Sequence, residues 1–334
     1  MSNGASFMTE TRRDVLLDVR RLKKYYPVKK GLLKRTVGFV KAVDGVDFII
    51  GHRETFGLVG ESGCGKTTIG KSVLRLTEAT DGQILFDGKD ILKLDAEELR
   101  QERRHMQIIF QDPYGSLNPR MTVGELIGEP MLKHKTAMGK ENERRVKELM
   151  EICELDPRHF RRYPHEFSGG QRQRIGIARA LSLNPKLIVC DEPVSALDVS
   201  IQSQILNLLE DLQGQFGIAF LFIAHGMAVV RHVSSRVGVM YLGKIVEVAK
   251  TDSLFNDCRH PYTKALMSAI PIPDIKVKRE ITILQGEVPN PLNPPTGCRF
   301  HPRCQMVINV CREQEPELKG ITPDHLVACH LTSC

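Results

Sequence analysis

The residues with the clearest chemical potential form the segment Gly60–Thr67, which reads Gly-Glu-Ser-Gly-Cys-Gly-Lys-Thr. Its glycines allow the backbone to curl until successive N–H groups point at one anion. The apolar run 55–59 before it predicts a buried strand, and residues 68–74 after it predict a helix. The N-terminus of such a helix carries partial positive charge that favours a phosphate. The segment therefore predicts a phosphate-binding loop.

Two side chains at the end of this loop have specific predicted roles. Lys66 is expected to reach the β- and γ-phosphates of a nucleotide, and the Thr67 hydroxyl is expected to bind Mg²⁺. The alternative is a glycine-rich turn without a ligand, which gives no structural reason for Lys-Thr after the last glycine. The expected nucleotide contacts of the loop are Gly60, Glu61, Ser62, Gly63, Cys64, Gly65, Lys66, Thr67 and Thr68.

Polar residues of chemical interest follow four predicted strands, namely Gly60, Gln111, Asp191 and His225. Short apolar runs such as 187–190 are typical of the fully buried strands of a parallel sheet. In open α/β sheets, ligands gather at the carboxyl ends of the strands. The sequence therefore predicts an α/β fold with one site at that edge of the sheet.

Other segments predict elements around these strands. Residues 15–19 predict an edge strand, and residues 83–86, between two Asp-Gly turns, predict a short strand. Residues 142–155 predict an amphipathic helix, whose spacing makes Cys153 a core residue rather than a reactive thiol. The basic stretch 29–35 lacks interleaved aromatic residues and predicts a solvated loop rather than a nucleic-acid patch.

Length and composition set broad limits. The 334 residues leave room for one large domain with an appendage or for two domains. The formal net charge of +7 suggests an anionic partner such as nucleotide, nucleic acid or a membrane surface, without choosing among them. The longest apolar run, 216–224, is about half of the roughly 20 residues that a membrane helix needs. Residues 1–14 are polar and do not resemble a signal peptide, so a cytosolic location is expected.

Five further motifs follow the phosphate loop in a fixed order. They are Gln111, the run 167–174 that opens a predicted helix, Asp191-Glu192, the run 195–198 and His225. Their order and spacing resemble the ATP-binding subunit of ABC transporters over roughly residues 15–250. The resemblance implies a P-loop NTPase fold, with a mixed sheet core and a helical subdomain, and an ATPase that uses ATP and Mg²⁺.

The chemistry of the matched residues agrees with this resemblance. Asp191 is a carboxylate that can hold Mg²⁺ through water, together with Thr67 and Gln111. Glu192 can orient or deprotonate the attacking water, and a purely structural carboxylate is the alternative. His225 can hydrogen-bond the γ-phosphate, and a structural histidine is the alternative.

The resemblance also implies contacts across a dimer, in which two ATP molecules lie head-to-tail between two subunits. Tyr26 matches the position where the family stacks an aromatic ring on adenine, with Tyr25 or simple core packing as alternatives. One departure is Gly226, because the family usually has Asp after the histidine. The residues matched to partner-facing motifs are Ser168, Gly169, Gly170 and Gln171 in the signature, and Ser195 and Asp198 in the D-loop.

Three segments, 111–119, 259–266 and 291–298, resemble the dipeptide, oligopeptide and nickel importers of this family. This finer resemblance implies a subunit that powers peptide import at the cytoplasmic face of the membrane. Its implied partners are two permease subunits, an external peptide-binding protein and a second, non-identical ATPase, but no nucleic acid. The implied domains are an ATP-binding domain over 1–256, with a helical subdomain at about 112–180, and a C-terminal extension over 257–334.

Two other function classes fit parts of the pattern. A soluble ABC ATPase that acts on nucleic acid or ribosomes usually carries a coiled-coil insertion or two cassettes, whereas this chain has one cassette and no heptad run. In a P-loop kinase, the segment 168–171 has no role. Peptide import is therefore the expected function, and the soluble ATPase is the alternative.

The C-terminal tail contains cysteines in a segment that is poor in apolar residues. Four thiols there suggest a metal staple, because disulfides are rare in a cytosolic setting. Intervening counts of five, six and seventeen residues give no close pair, which disfavours zinc, but they match no ferredoxin spacing either. The importer resemblance implies a 4Fe–4S cluster, with Zn²⁺ or unligated thiols as alternatives and Cys334 as the spare cysteine. The expected ligands are Cys298, Cys304, Cys311 and Cys329.

Overall fold

The computed structural model describes residues 14–31, 35–270 and 284–332, so Cys334 lies outside the described residues. Contacts divide the chain into two compact units. The first comprises Met1–Gly51, Thr55–Leu92 and Ala224–Cys334, and the second comprises His52–Glu54 and Lys93–Ile223. The domain boundary after residue 256 and the helical subdomain at about 112–180 stay predictions.

The described chain contains both strands and helices, with helices inserted between most of the parallel strands, which confirms the predicted α/β class. The strands are β1 (Val15–Lys30), β2 (Arg35–Gly51), β3 (Thr55–Val59), β4 (Asp81–Phe86), β5 (Lys89–Asp90), β6 (Met106–Ile109), β7 (Leu187–Asp191), β8 (Ala219–Ala224), β9 (Arg236–Tyr241), β10 (Lys244–Lys250), β11 (Lys319–Thr322) and β12 (His325–Val327). The helices are α1 (Lys66–Val73), α2 (Ala96–Glu102), α3 (Val123–Lys133), α4 (Gly139–Ile152), α5 (Gly169–Leu181), α6 (Val199–Phe216), α7 (Met227–Val233), α8 (Thr251–Asn256), α9 (Pro261–Ser268) and α10 (Val310–Glu313). Within the described ranges, none of these helices has the length and apolar character needed to cross a lipid bilayer.

The first unit contains an antiparallel sheet with the strand order β2-β1-β4-β5. β1 pairs with both β2 and β4, so the strand predicted at 15–19 is confirmed but its edge position is wrong. The turn between β4 and β5 is Asp87-Gly88, and both residues have positive φ, 48° and 80°, as a tight hairpin turn requires. Lys29 and Lys30 are exposed as predicted, but they belong to β1 rather than to a loop.

In the same unit, five other strands lie in the order β11-β12-β10-β9-β3. β3 runs parallel to β9 and all its residues are buried, which confirms the buried strand predicted before the phosphate loop. β9 and β10 form a hairpin through Leu242-Gly243, where φ is 42° and 81°. β12 pairs with β10, so a strand from the C-terminal tail joins the strands that flank the phosphate loop.

The second unit contains three parallel strands in the order β6-β7-β8. The apolar runs of β7 and β8 are completely buried, as predicted for strands that are covered on both faces. α3 contacts both α4 and α5 in this unit. The helix predicted at 142–155 is α4, and Cys153 directly after it is completely buried, which confirms its core position.

A buried carboxylate ties the C-terminal part of the first unit to β10. Glu247 is completely buried, and its side chain accepts hydrogen bonds from the backbone N–H groups of Arg259 (2.7 Å) and His260 (3.1 Å). Nε2 of His325, on β12, lies 2.7 Å from the same carboxylate. Because a buried charge needs such partners, Glu247 fixes both the start of α9 and the position of β12.

We predict that His260 makes the stability of the protein depend on pH. Its ring is buried, and Nδ1 accepts a hydrogen bond from the N–H of Tyr262 at the start of α9 (3.1 Å). Burial lowers the pKa of His260 from 6.5 to about 4, although Glu247 opposes the shift. Between these two pH values the unfolded chain binds a proton that the folded chain does not, so stability is lost as the pH falls.

The variant His260→Asn keeps an acceptor at the helix N-cap and removes the titrating ring. Thermal unfolding followed by circular dichroism should show that, from pH 7.5 to 5, the wild-type Tm falls about 5 °C further than that of the variant. Above pH 7 the difference between the two proteins should stay constant, which provides the control. Parallel curves over the whole range would contradict this role of His260.

Candidate functional site

The phosphate loop lies in the first unit, where backbone contacts explain its glycines. Gly60 and Gly65 have φ values of 154° and 112°, a region that favours glycine. A Cβ on Gly65 would lie 2.1 Å from the carbonyl oxygen of Ala42, and a Cβ on Gly60 would lie 2.1 Å from that of Met240. Since no side chain fits at either position, the glycine spacing follows from the packing of β2 and β9 against the loop.

The turn between β9 and β10 also holds this loop. The N–H of Gly243 donates to the carbonyl oxygen of Cys64, and the N–H of Asp44 donates to the carbonyl oxygen of Gly243, both at 2.9 Å. Cys64 is buried, and burial raises the pKa of its thiol, although the ammonium of Lys66 opposes the shift. Cys64 is therefore a protonated packing residue of the loop at neutral pH.

Lys66 is the first residue of α1 and is only 3% exposed. Its ammonium group donates to the carbonyl oxygens of Gly60 (2.7 Å) and Glu61 (3.1 Å), so the side chain lies across the loop. Gly65, which has no side chain, is the N-cap of α1, and Thr67 belongs to the first turn of this helix. The loop therefore places a cation at the start of a helix, whose dipole favours an anion.

Glu61 has partners in the C-terminal part of the first unit. The guanidinium of Arg303 makes two hydrogen bonds to its carboxylate, at 2.7 and 3.1 Å. The backbone N–H of Glu61 donates to the hydroxyl of Tyr262 at 2.9 Å. The side chain of Glu61 is thus directed to the tail, and the nucleotide contact assigned to Glu61 stays a prediction.

The two candidates for adenine stacking differ in their surroundings. Tyr26 is 38% exposed, with the ammonium of Lys24 4.9 Å from its ring centre, so it is not a core residue. The hydroxyl of Tyr25 donates to Asp44, and burial together with this hydrogen bond raises the pKa of Tyr25 to about 12. Asp44 also forms an ion pair with Arg299 of the tail. Tyr26 is therefore the more accessible ring, and its stacking on adenine stays a prediction.

In the second unit, Asp191 and Glu192 lie at the end of β7 and are both buried. Glu192 has a φ of 52°, which is uncommon for a residue with a side chain, and its N–H donates to the carbonyl oxygen of Ile223 at 3.0 Å. Nε2 of Gln111 donates to Oε2 of Glu192 at 2.7 Å. A carboxylate whose one oxygen is held in this way can accept a proton on the other.

The signature segment begins α5, as predicted. Ser168 is the N-cap, where its hydroxyl accepts from the N–H of Gln171 (3.4 Å) and Oε1 of Gln171 accepts from the N–H of Ser168 (3.0 Å). A Cβ on Gly170 would lie 2.6 Å from Cγ2 of Ile201, whereas the nearest atom to a Cβ on Gly169 is 3.5 Å away. Gly170 is therefore needed for packing against α6, while Gly169 has room for a side chain.

Two arginines of α5 connect this helix with the segment that follows Gln111. The guanidinium of Arg172 lies over the ring of Tyr114, 3.8 Å from its centre. Nη1 of Arg179 donates to the carbonyl oxygen of Ser116 at 2.7 Å. These two contacts join the segment after Gln111 to the signature helix within the second unit.

The remaining predicted residues lie at exposed positions. The hydroxyl of Ser195 donates to the carbonyl oxygen of Glu192 at 3.0 Å, and Asp198 is the N-cap of α6. His225 is exposed and belongs to the first unit. Gly226 is the N-cap of α7, and no atom lies within 4 Å of an added Cβ, so an Asp at this position would fit and could cap the helix.

The four tail cysteines belong to the first unit, and none forms a disulfide. The N–H of Cys298 donates to the carbonyl oxygen of Cys311 at 2.8 Å. Burial, with smaller contributions from the neighbouring thiols of Cys311, Cys329 and Cys304, raises the pKa of Cys298 to about 11. Among the residues that the structure describes, no three His, Cys, Asp or Glu side chains are close enough together to hold a metal ion.

The predicted residues are distributed over both units. The first unit contains the phosphate loop, Tyr26, His225 and the four cysteines, and the second contains Gln111, the signature segment, Asp191, Glu192, Ser195 and Asp198. Their assembly at one edge of a sheet stays a prediction. The contact of Arg303 with Glu61 is not predictable from the sequence, because the two residues are 242 positions apart and no motif marks the arginine.

Two protein-family models match successive segments of this chain. Residues 43–195 match the family model described as ABC transporter, and residues 246–311 match the one described as oligopeptide/dipeptide transporter, C-terminal region. The oligopeptide transport ATP-binding protein AppF of Bacillus subtilis is 53% identical over 329 residues, which cover 98% of this chain and 100% of that protein. A putative peptide import ATP-binding protein of Brucella ovis is 52% identical over 322 residues, which cover 96% and 98%.

Two solved structures are similar in fold. The ATP-binding cassette MJ0796, in a dimeric post-hydrolysis state bound to ADP and Pi, has a TM-score of 0.63 and 30% identity, covering 70% of this chain and 98% of that chain. The structure of cbiO1 from Clostridium perfringens, part of the ABC transporter complex cbiONQ, has a TM-score of 0.63 and 25% identity, covering 73% and 92%. These similarities confirm the predicted fold class.

Proposed function

This chain belongs to the ABC transporter family of ATP-binding proteins, and from that premise we propose that its ATPase activity drives the import of oligopeptides. The observation that carries the proposal is its similarity to peptide-transport ATP-binding proteins along the whole chain, including the tail. These relatives do not favour the alternative, a soluble ATPase that acts on nucleic acid or ribosomes.

The first unit supplies the phosphate-binding groups in the proposed reaction. The ammonium of Lys66 is buried beside the loop, where it can move from the carbonyl oxygens to the β- and γ-phosphates of ATP. Tyr26 stacks on adenine, and His225 donates a hydrogen bond to the γ-phosphate. Mg²⁺, when bound, neutralises charge on the phosphates, and the hydroxyl of Thr67 is one of its proposed ligands.

The second unit supplies the hydrolytic groups. Glu192 is held by Gln111 and by a fixed backbone, so it can orient the attacking water and accept its proton. Asp191, buried at the end of β7, would hold Mg²⁺ through water together with Gln111. General-base catalysis needs a positioned carboxylate, and the contacts of Glu192 meet that requirement.

A second ATPase subunit completes each ATP site in this proposal. The signature segment at the start of α5, together with Ser195 and Asp198, faces the nucleotide bound by the partner. Helix α5 has thirteen residues, so the amides at its N-terminus can stabilise an anion. ATP then lies between two non-identical subunits, and its hydrolysis reopens them.

The proposed place of the subunit is the cytoplasmic face of the membrane, against two permease subunits. An external peptide-binding protein delivers the peptide, so peptide specificity lies outside this chain. The relatives named as peptide-transport proteins support this assignment. Whether the cargo is a dipeptide, a longer peptide or nickel is a property of those partners.

We predict that Lys66→Ala and Glu192→Gln separate binding from hydrolysis. Lys66→Ala removes the point charge that faces the phosphates, so ATP binding measured by calorimetry should be lost. Glu192→Gln keeps the shape of the side chain and an oxygen that can accept from Gln111, but it cannot take a proton. Its ATP binding should be retained, while phosphate release falls by about 10² or more.

Each of these variants is the control for the other, because both alter a buried charge near the proposed site. Normal ATP affinity in Lys66→Ala would contradict the binding site. Turnover by Glu192→Gln within a factor of about ten of wild type would remove Glu192 as the general base.

We predict that Gly169→Asp damages the partner's ATP site rather than this chain's own site. The position has room for a side chain, and an acidic residue suits the first turn of a helix, so this chain should fold normally. The added carboxylate would repel the γ-phosphate bound by the partner. Photolabelling of each subunit with an azido-ATP should show the loss on the partner alone.

The matched control is Gly169→Asn, which has the same size without the charge. It should retain labelling of both subunits. A loss of labelling confined to this chain in Gly169→Asp, or an equal loss in both variants, would contradict the head-to-tail arrangement.

The tail cysteines are proposed to hold a 4Fe–4S cluster. Four thiols, the number that such a cluster uses, lie in one segment of the first unit, although among the described residues no three of them are close enough together to hold a metal ion, so cluster binding would require them to move closer. The backbone hydrogen bond between Cys298 and Cys311 supports the same grouping. The cluster would pin a segment that is poor in apolar residues, and Zn²⁺ is the alternative ion.

We predict that protein purified without air is brown and contains about four irons per chain, as a cluster held by four cysteines requires. Iron and zinc analysis together with the visible absorbance spectrum provides the measurement. Cys304→Ser should lose the colour, whereas Cys258→Ser, a cysteine outside the proposed set, should keep it. A colourless protein with one zinc per chain would overturn the cluster and leave the ATPase assignment intact.

A further inference from the structure

The phosphate loop receives an ion pair from the C-terminal tail. Nη1 of Arg303 lies 2.7 Å from Oε2 of Glu61, and Nη2 lies 3.1 Å from Oε1, so the pair is bidentate. The side chain of Arg303 is 7% exposed and that of Glu61 is 28% exposed. Limited exposure reduces screening by water, and the bidentate geometry fixes the direction of the carboxylate.

A second contact holds the backbone at the same loop position. The N–H of Glu61 donates to the hydroxyl of Tyr262 at 2.9 Å. Tyr262 is completely buried, with its ring centre 4.8 Å from that of Tyr241 and 5.4 Å from that of Phe300 in the tail. The position of the hydroxyl is therefore set by packed rings rather than by a mobile side chain.

A second tail arginine reaches the strand beside the loop. Arg299 forms an ion pair with Asp44 of β2, and Asp44 also accepts from the hydroxyl of Tyr25. In the sequence, Arg299 follows Cys298 and Arg303 precedes Cys304. Each arginine that contacts this part of the first unit is thus adjacent to a tail cysteine.

We propose that Arg303 and Tyr262 are positioning residues for ATP binding, because they hold Glu61, and with it the phosphate loop, in one conformation. This inference rests on the proposed ATP site at Gly60–Thr67. Arg303 and Tyr262 act through Glu61 and do not contact the nucleotide. Since an ordered loop serves bound ATP and the transition state alike, losing these contacts weakens ATP binding and leaves the turnover of bound ATP nearly unchanged.

The test uses the full-length chain assembled with its partner subunits. Arg303→Met keeps the aliphatic stem and removes the ion pair, so we expect the KM for ATP to rise about tenfold or more, because losing two charge-assisted hydrogen bonds costs at least as much as losing one. The value of kcat should stay within about twofold of wild type. Arg303→Lys keeps the charge without the bidentate geometry, and it should give an intermediate KM.

Glu315→Ala is the matched control from the same tail. Glu315 forms an ion pair with Lys244 at 2.6 Å, so its loss also removes a link between the tail and β10, but neither residue belongs to the phosphate loop. The control should keep its KM within about twofold of wild type. A rise in KM as large as that of Arg303→Met would overturn the proposal, because any weakening of the tail would then suffice.

Tyr262→Phe decides the question if Arg303→Met does not fold. It removes only the hydroxyl that accepts from Glu61 and keeps the ring packing, so the KM should rise about threefold. If Arg303→Met folds, an unchanged KM in that protein would overturn the proposal. If only Tyr262→Phe folds, an unchanged KM in Tyr262→Phe would overturn it. If Lys66→Ala loses ATP binding in the same assay, the ATP site itself stands, whereas normal binding by Lys66→Ala would refute the site.

Discussion

The shape of the phosphate loop depends on a close approach of backbone to backbone. The carbonyl oxygens of Ala42 on β2 and Met240 on β9 occupy the space where side chains of Gly65 and Gly60 would lie. In the first unit, β2 belongs to the sheet β2-β1-β4-β5, whereas β9 belongs to the strands ordered β11-β12-β10-β9-β3. The loop therefore fits only when both sets of strands are in place. The hydrogen bond from Gly243 to Cys64 adds the hairpin turn to the same arrangement. The glycines of the motif are therefore needed for tertiary packing as well as for curling around an anion.

In the second unit, the surrounding structure likewise fixes the backbone conformation of Glu192. A residue with a side chain at a φ of 52° carries backbone strain, which such sites sustain only when the surrounding structure fixes them. Here the buried strands β7 and β8 provide the fixation, because the N–H of Glu192 bonds to Ile223. With this backbone conformation, the carboxylate accepts a hydrogen bond from Gln111, next to the segment that Arg172 and Arg179 join to α5. Packing energy from apolar strands thus maintains the orientation of a proposed catalytic group.

Most of the local structure follows from short sequence patterns. The apolar runs of β3, β7 and β8, the Asp87-Gly88 turn and the start of α5 are predicted because each depends on neighbours within a few residues. The edge position of residues 15–19 is wrong because β4 pairs with β1 from more than 60 residues away, and periodicity carries no information on such pairing. The roles of Glu61 and Asp44 depend on Arg303 and Arg299, whose positions are set by the folding of the tail.

In the first unit, these same contacts link the tail to the phosphate loop and to β2. A segment with few apolar residues cannot bury enough surface to fold alone, so its arginines need fixed neighbours as much as the phosphate loop needs them. Coupling between two sites is reciprocal in free energy: if an ordered tail favours ATP binding through Glu61, bound ATP must favour the ordered tail by the same amount. A ligand bound by the cysteines next to Arg299 and Arg303 would then also change the equilibrium between the ordered and the disordered tail. On the proposed role of Glu61, the tail and the nucleotide site would then be coupled thermodynamically even though separate motifs encode them.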